Sequence, residues 1–334
     1  MASYYNILSN KKVKNSNTAI EDPERFIQGI KNHLSGFTYF LYFSPFLRHH
    51  IPFIKDQVKA TLKNRDYLFK ILDLIIKKRR KEIEEIPVGD ELRNDMLTSL
   101  IVTNTVRDIN RTNIGIDNIS RPMTDDEIRA NLLDSFQGGI DTTANTFSFI
   151  VYYVCKHHHV KKKKIDEIDS IFLSKTSLHL NYDDLLKLEY CDAIINEVSR
   201  LHPIVIELQR YVKNPCEIAG HRFETGTVIH INTNGIHTHK DYWTNPEIFD
   251  PNRFYKNKKN LNNKVRNKFS LLTFGGGLRI CPGRRLAIIE LLSLMVILFG
   301  KYDVELVDMN ALLKVKSKAT TTCGELPIKI KLRK

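Results

Sequence analysis

Phe274-Gly275-Gly276-Gly277-Leu278-Arg279-Ile280-Cys281-Pro282-Gly283 is the stretch on which the reading of this chain turns. It sets one cysteine in a glycine-rich turn, directly before Arg284 to Phe299, a run dense in Leu and Ile that reads as a helix. Cys281 thus stands at the positive end of a helix dipole, a setting that favours a thiolate over a thiol. Three successive glycines let the backbone approach something flat and bulky. Arg279, two residues before the cysteine, is placed to pair with an anionic group on that object. Against this, a lone cysteine is usually a small buried hydrophobe, and a glycine-rich turn is usually only a turn. A phosphate-cradling G-x-G-x-x-G fails because Ile280 stands where the last glycine is needed.

Taken together the residues fit F-x-x-G-x-R-x-C-x-G. Five fixed positions would arise by chance in a chain of 334 residues with a probability on the order of 1 in 10,000. The pattern resembles the haem-thiolate signature of the cytochrome P-450 family, in its eukaryotic microsomal type. The resemblance implies haem b, its iron ligated by Cys281, with Phe274, Arg279 and Gly283 shaping the loop and Arg279 on the propionates.

Three other segments resemble the family's motifs, in the family's order. Thr124-Asp125-Asp126-Glu127 is a capping box that opens a helical pattern running to about Cys155. Within it lies Gly138-Gly139-Ile140-Asp141-Thr142-Thr143. Paired glycines in a helix cost about 1 kcal/mol each against alanine, so they mark a bend, a close approach, or tight packing of two helices. The segment resembles the oxygen-activating [AG]-G-x-[DE]-T-T. On that likeness Gly139 faces the haem, Thr142 hydrogen-bonds the oxygen being activated, and Asp141 relays protons. A second helix, Tyr190 to Leu201, places Glu197 and Arg200 three apart on one face. On a surface that pair would mean nothing. Here it resembles the family's buried E-x-x-R, joined by Arg253 of Pro251-Asn252-Arg253-Phe254, with Asn252 standing in place of a glutamate. Ile204 to Val212 and His221 to Ile231 read as strands, with Gly220 and Gly226 at turns. The resemblance puts Arg210 on a second propionate, His237 as a weaker candidate nearby, and Ile204 to Glu207 facing the substrate.

With 42% hydrophobic residues the composition is that of a globular protein. The formal net charge of +13 raises nucleic acid, an anionic membrane surface or an acidic protein as partners. The lysines, however, fall in tracts at Lys161 to Lys164 and Lys256 to Lys268, without interleaved aromatics. They read as solvated loops, and nucleic acid is not expected as a partner. Cys155, Cys191, Cys216, Cys281 and Cys323 are odd in number and hold no C-x-x-C pair, which argues against a disulfide framework or zinc knuckle and for a reducing, cytosol-facing location. His157-His158-His159 read as an exposed turn, since three consecutive histidines cannot share a helix face.

Residues 1–23 read as a polar lead-in. From Glu24 to Lys81 the pattern is helical, broken at Pro45 and Pro52, and Leu68 to Glu84 reads as a basic amphipathic helix. Its aromatic middle reads first as a core helix and second as an amphipathic lip on a substrate channel or a membrane interface, with residues 37–54, Arg48 and His49 among them, at the surface. Thr320 to Lys331 reads as a closing hairpin.

The expected fold is therefore mainly α with a minor β region: a cytochrome P-450 fold over 24–334, lacking the family's N-terminal helices and strands. The resemblance implies a haem-thiolate monooxygenase that acts on a small apolar substrate and O2, with electrons from NADPH through a flavoprotein reductase docked by basic residues such as Arg284 and Arg285. A full-length member would lie at the endoplasmic reticulum membrane. The alternative is a non-catalytic remnant of the family with weak or no haem binding.

Overall fold

In the computed structural model the described residues are 22–108, 121–172, 180–255, 267–317 and 320–333. Most of the polar lead-in and of the lysine run after Tyr255 lies outside them. The chain divides into two compact units, Met1–Ile140 and Asp141–Lys334, taken here in turn.

The first unit is helical: α1 (Pro23–Tyr42), α2 (Pro45–His50), α3 (Pro52–Glu84), α4 (Met96–Val102) and the start of α5 (Asp125–Lys156). The first three helices each open on a proline, which lacks the amide a first turn cannot use and fixes a helical φ. Asp22 and Ser44 cap α1 and α2 by accepting the amides of Arg25 and Leu47. At α5 the capping box forms in both directions: Thr124 Oγ1 accepts the Glu127 amide at 3.3 Å, and Glu127 accepts the Thr124 amide at 2.8 Å. Phe26, Leu68, Leu72, Ile76, Ile128 and Phe136 form the core, with Phe26 and Phe136 edge to face at 5.1 Å. α1 and α3 run so close at Gly36 that any Cβ there would collide with the side chain of Thr61.

The aromatic middle is not core. Phe37, Tyr42, Phe46 and Phe53 are exposed, the last two by 66% and 72%. The buried residues of α1 are Phe26, Gly29, Ile30 and Gly36, nearer its start.

The second unit holds the rest of α5, α6 (His158–Phe172), α7 (Tyr182–Leu185), α8 (Glu189–Leu201), α9 (Thr233–Thr238) and α10 (Arg284–Lys301). Its strands are β1 (Glu207–Tyr211), β2 (Cys216–Ile218), β3 (His221–Phe223), β4 (Val228–Asn232), β5 (Tyr302–Leu306), β6 (Val315–Ser317), β7 (Thr321–Cys323) and β8 (Ile328–Leu332). They form four two-stranded antiparallel sheets: β1 with β4, β2 with β3, β5 with β8 and β6 with β7. Tyr211 pairs with Val228, and Gly220 and Gly226 turn the chain at φ +79° and +94°. The closing segment is thus no hairpin. β7 and β8 belong to different sheets, because β8 finds its partner in β5 at the end of α10. The core gathers Phe149, Val154, Ile194, Val198, Met295 and Phe299.

Two readings of polar tracts are corrected here. Only His157 interrupts the helices, and His158 and His159 already belong to α6. Lys161 to Lys164 are likewise helical rather than loop, and Lys164 is fully buried. Lys161 reaches Asp303 at 2.6 Å, whereas the Lys164 Nζ has no hydrogen-bond partner and sits 2.9 Å from the centroid of the Phe299 ring.

Burial holds the Lys164 amine well below its ordinary 10.5. Between the lowered folded value and the ordinary one the unfolded chain binds one proton more, so stability rises with pH across that window. Lys164→Met, similar in length and apolar, should stabilise the protein by about 1–3 kcal/mol at neutral pH. It should also flatten the rise in stability with pH below the ordinary 10.5. Urea unfolding at several pH values checks both, and an unchanged pH slope in the variant would count against a neutral Lys164.

Candidate functional site

α8 supplies the foundation. Tyr190, Ile194 and Val198 turn one stripe into the core, and Glu197 and Arg200, three apart, go inside with them. Both charged side chains are 0% exposed. The pair is bidentate, Arg200 Nε to Glu197 Oε2 and Nη2 to Oε1, each at 2.8 Å. Arg200 spends its other donors on backbone carbonyls, at 3.0 Å to His237, 2.7 Å to Pro246 and 3.3 Å to Ile248. Glu197 Oε1 also accepts the Asp250 amide at 2.9 Å and Arg253 Nε at 3.3 Å. Arg253 sits in the 3-10 turn Pro251–Arg253, and Asn252 there bonds Asp250. The structure therefore brings Glu197, Arg200 and Arg253 together.

The cysteine loop follows. Leu272 donates its amide to His237 Nε2 at 2.8 Å and accepts the Gly275 amide at 3.0 Å. Gly275 and Gly277 take φ values of +72° and +68°, left-handed positions where a side chain would be strained. Cys281 donates its amide to the Phe274 carbonyl at 2.9 Å, closing the loop, and α10 begins three residues later. The Cys281 thiol is free and exposed. Arg279 lies in the 3-10 turn Gly277–Arg279, also exposed. A Cβ on Gly275 would stand 3.7 Å from Leu208 Cδ1, so β1 runs beside the loop. Arg210 is two residues along β1 from Leu208, on the same face, and donates to the Gln209 carbonyl. Phe274 is half-buried, with the Arg284 guanidinium 5.9 Å from its ring centre, and a Cβ on Gly283 would lie 3.9 Å from the Cys281 sulfur.

Gly139, Asp141 and Thr142 lie on α5. A Cβ added to Gly138 or Gly139 would meet nothing within 4 Å, so close helix packing is not what the glycines serve among the described residues. The carbonyls of Asp141 and Thr142 accept second bonds from the side chains of Asn145 and Thr146, at 2.7 and 2.9 Å.

Sequence reasoning missed three groups. Glu290 of α10 is buried, which raises its pKa, with a partial offset from the Thr143 hydroxyl. His202 bonds the Tyr153 hydroxyl at 2.8 Å and stacks on Phe149, and burial lowers its pKa to about 4. It lines a cleft with Pro203, Ile206, Glu207, Asn232 and Thr321. His237, given only as a weak propionate candidate, is wholly buried under the loop. For Glu290 and His202 the signal was a polar residue beside apolar ones, whereas His237 stands in a polar stretch that carries no such signal. Among the described residues no group of three His, Cys, Asp or Glu could hold a metal ion.

Because Glu197 and Arg200 see no water, cutting one partner leaves the other charge buried and unmatched. Arg200→Met should cost roughly 3–5 kcal/mol in urea unfolding. Arg253→Met, whose arginine is 15% exposed, should cost clearly less. Equal losses would show that the trio does not act as a core pair with an outer partner.

The sequence from residue 3 to 332 matches the family model described as cytochrome P450. Cytochrome P450 3A9 of Rattus norvegicus is 38% identical over 183 residues, 55% of this chain and 35% of the relative. Cytochrome P450 3A25 of Mus musculus is 31% identical over 277 residues, 81% of this chain and 50% of the relative. The chain thus spans at most about half the length of these relatives. The crystal structure of the cytochrome P450DA heme domain superposes with a TM-score of 0.75 at 20% identity, over 93% of this chain and 61% of that one. A second solved structure, of the cytochrome P450 CYP102L1, gives 0.74 at 20% identity over 92% and 64%. The match along nearly the whole sequence, and a fold shared with solved members, make this chain a member of the cytochrome P450 family.

Proposed function

We propose that this chain forms the haem-binding part of a monooxygenase that places one oxygen atom of O2 into an apolar small-molecule substrate. The observation that carries the reading is Cys281. It presents a free, exposed thiol from a loop whose backbone is set by two left-handed glycines and closed by its own amide. The residues present fit a haem. The donor set is one sulfur, the space over Gly276 and Gly277 is open, and arginines stand on the loop and beside it at Arg279 and Arg210. When bound through a thiolate, haem supplies an electron-rich iron that favours cleavage of dioxygen.

The chain's own residues do the rest. Arg279 and Arg210 hold the cofactor's carboxylates. Thr142 would offer a hydroxyl and Asp141 a carboxylate able to hold and pass protons at the site. Exposed Arg284 and Arg285 offer a basic patch to an acidic flavoprotein reductase that passes on electrons from NADPH. The exposed aromatics between residues 37 and 54, with Arg48 and His49 among them, suit a protein resting on the cytosolic face of the endoplasmic reticulum. No helix among the described residues is long and apolar enough to cross a membrane.

A reduced, carbon-monoxide-bound absorption spectrum of the purified chain tests the reading. The expected result is a red-shifted thiolate-type Soret band, lost in Cys281→Ala; a band that survives the substitution removes Cys281 as the ligand. No haem uptake at all would favour a family member that keeps its fold without the cofactor. For the surface contact, replacing Phe46 and Phe53 by Ser should weaken sedimentation with anionic lipid vesicles by about tenfold, and unchanged binding would argue against it.

A further inference from the structure

We propose that His237 is a positioning residue for the cysteine loop: its neutral imidazole accepts the Leu272 amide and hangs the loop on the buried Glu197–Arg200 pair, and protonation releases it. Only the spectroscopic part of the test rests on the haem reading of Cys281.

The geometry is a short relay. Arg200 Nη1 holds the His237 carbonyl at 3.0 Å. Trp243 Nε1 holds the carbonyl of the preceding residue, Ile236, at 3.2 Å, and Asn232 caps α9 through the Gly235 amide at 2.8 Å. The backbone of His237 is therefore fixed on both sides, and the side chain, 0% exposed, has little freedom to choose its target. That target is the Leu272 amide, 2.8 Å from Nε2. The Leu272 carbonyl in turn accepts the Gly275 amide, and six residues on Cys281 closes onto Phe274. The residue held by His237 is thus the one from which the turn springs.

An amide can donate only to an unprotonated ring nitrogen, so the hydrogen bond itself fixes the tautomer: Nε2 bare, the proton on Nδ1. Adding a second proton points an N–H on Nε2 at the N–H of Leu272, and the two donors repel. Burial lowers the His237 pKa to about 4, against a rise from the backbone carbonyls of Arg200 and Ser199. The charged side chain acting on it is the Arg200 guanidinium of α8, which lowers it further, with Glu197 behind Arg200 and Arg253 behind Glu197. No titratable group of β1 or of the loop acts on it. A histidine with a lowered folded pKa contributes stability that is fully present above about 6.5 and is lost as pH falls toward about 4. The loop should loosen across that window.

Two substitutions separate positioning from bulk. In His237→Gln the side-chain oxygen can take the place of Nε2 as an acceptor that does not titrate, whereas His237→Leu fills the space with no acceptor. The measurement is amide hydrogen exchange of the full chain between pH 4.5 and 7.5, corrected for intrinsic rates, over peptides spanning residues 267–283, with α6 and α10 peptides reporting the fold. In the wild type, protection of the loop should fall about tenfold as pH drops, while α6 and α10 stay protected. His237→Gln should keep the loop protected at every pH. His237→Leu should lose it at every pH with the helices intact. If that variant unfolds altogether, the comparison of wild type with His237→Gln decides. The idea is overturned if His237→Leu leaves the loop protected, or if His237→Gln loosens with acid as the wild type does, which would move the titration to His202. The reduced carbon-monoxide spectrum read on the same samples should show the thiolate band fading with acid in the wild type and persisting in His237→Gln. A chain that takes up no haem but shows the exchange pattern sinks the proposed function and leaves this inference standing.

Discussion

A bidentate ion pair with no access to water, Glu197 with Arg200, sets where the chain around the cysteine loop can go. Burying two ions is costly, and the cost is offset only when the geometry is good and every remaining donor finds an acceptor. Arg200 meets that condition by taking three backbone carbonyls, from His237, Pro246 and Ile248. Those carbonyls belong to a stretch with little regular structure, from the end of α9 to the turn at Pro251–Arg253. A segment without a ladder of its own needs outside partners for its polar backbone. Here one guanidinium supplies three, and the Glu197 carboxylate supplies another through the Asp250 amide. The ion pair is thus less a source of stability than a template that gives an irregular segment one conformation.

The same segment carries His237, and through His237 the order imposed by α8 reaches the loop. Two rigid helices bracket the site, α8 on the side of the ion pair and α10 immediately after Cys281. The cysteine loop before α10 is built from turns, and two of its glycines have positive φ. This division of labour places chemistry on loops while leaving precision to helices. It also explains why an exposed thiol can be well placed: Cys281 has little side-chain packing, yet its own amide and the glycine conformations around it are fixed.

What could be read from the sequence follows the same division. The breaks at Pro45 and Pro52, where α2 and α3 begin, and the Thr124–Glu127 box are local signals, and the structure repeats them. The spacing of Glu197, Arg200, Arg253 and the cysteine loop was legible because each motif is short and its order is fixed. The errors came where a distant partner decides. Lys164 sits in a run of four lysines, and nothing local says that one of them will lie on Phe299, 135 positions later. The strands β7 and β8 have a Gly and a Pro between them, a fair hairpin signal, but β5 and β6 take them instead. The aromatics near residues 37 to 53 looked like core because composition alone does not say which stripe of a helix faces inward. His237 is the plainest case, since its role exists only because an amide 35 residues away needs an acceptor.

Three buried nitrogen bases in the second unit, with the half-buried His202 beside them, answer the same desolvation problem differently. Arg200 is matched by the carboxylate of Glu197. Lys164 finds no partner and is pushed toward its neutral form. His237 and His202 stay neutral and turn a ring nitrogen into an acceptor. For lysine and both histidines the unfolded chain binds more protons than the native one, so each makes the protein more stable as pH rises. Glu167, Asp192 and Glu290 act with the opposite sign, because burial raises their pKa values and the native state then holds protons that the unfolded chain has released. Just above the ordinary carboxylate range the two sets oppose each other, so each offsets part of the other's contribution to the stability of the unit. The carboxyl groups, however, lie in α6, α8 and α10, while His237 lies under the cysteine loop. Cancellation in the total therefore does not cancel the local effect, and acid reaches the loop before it reaches the helices that bracket it.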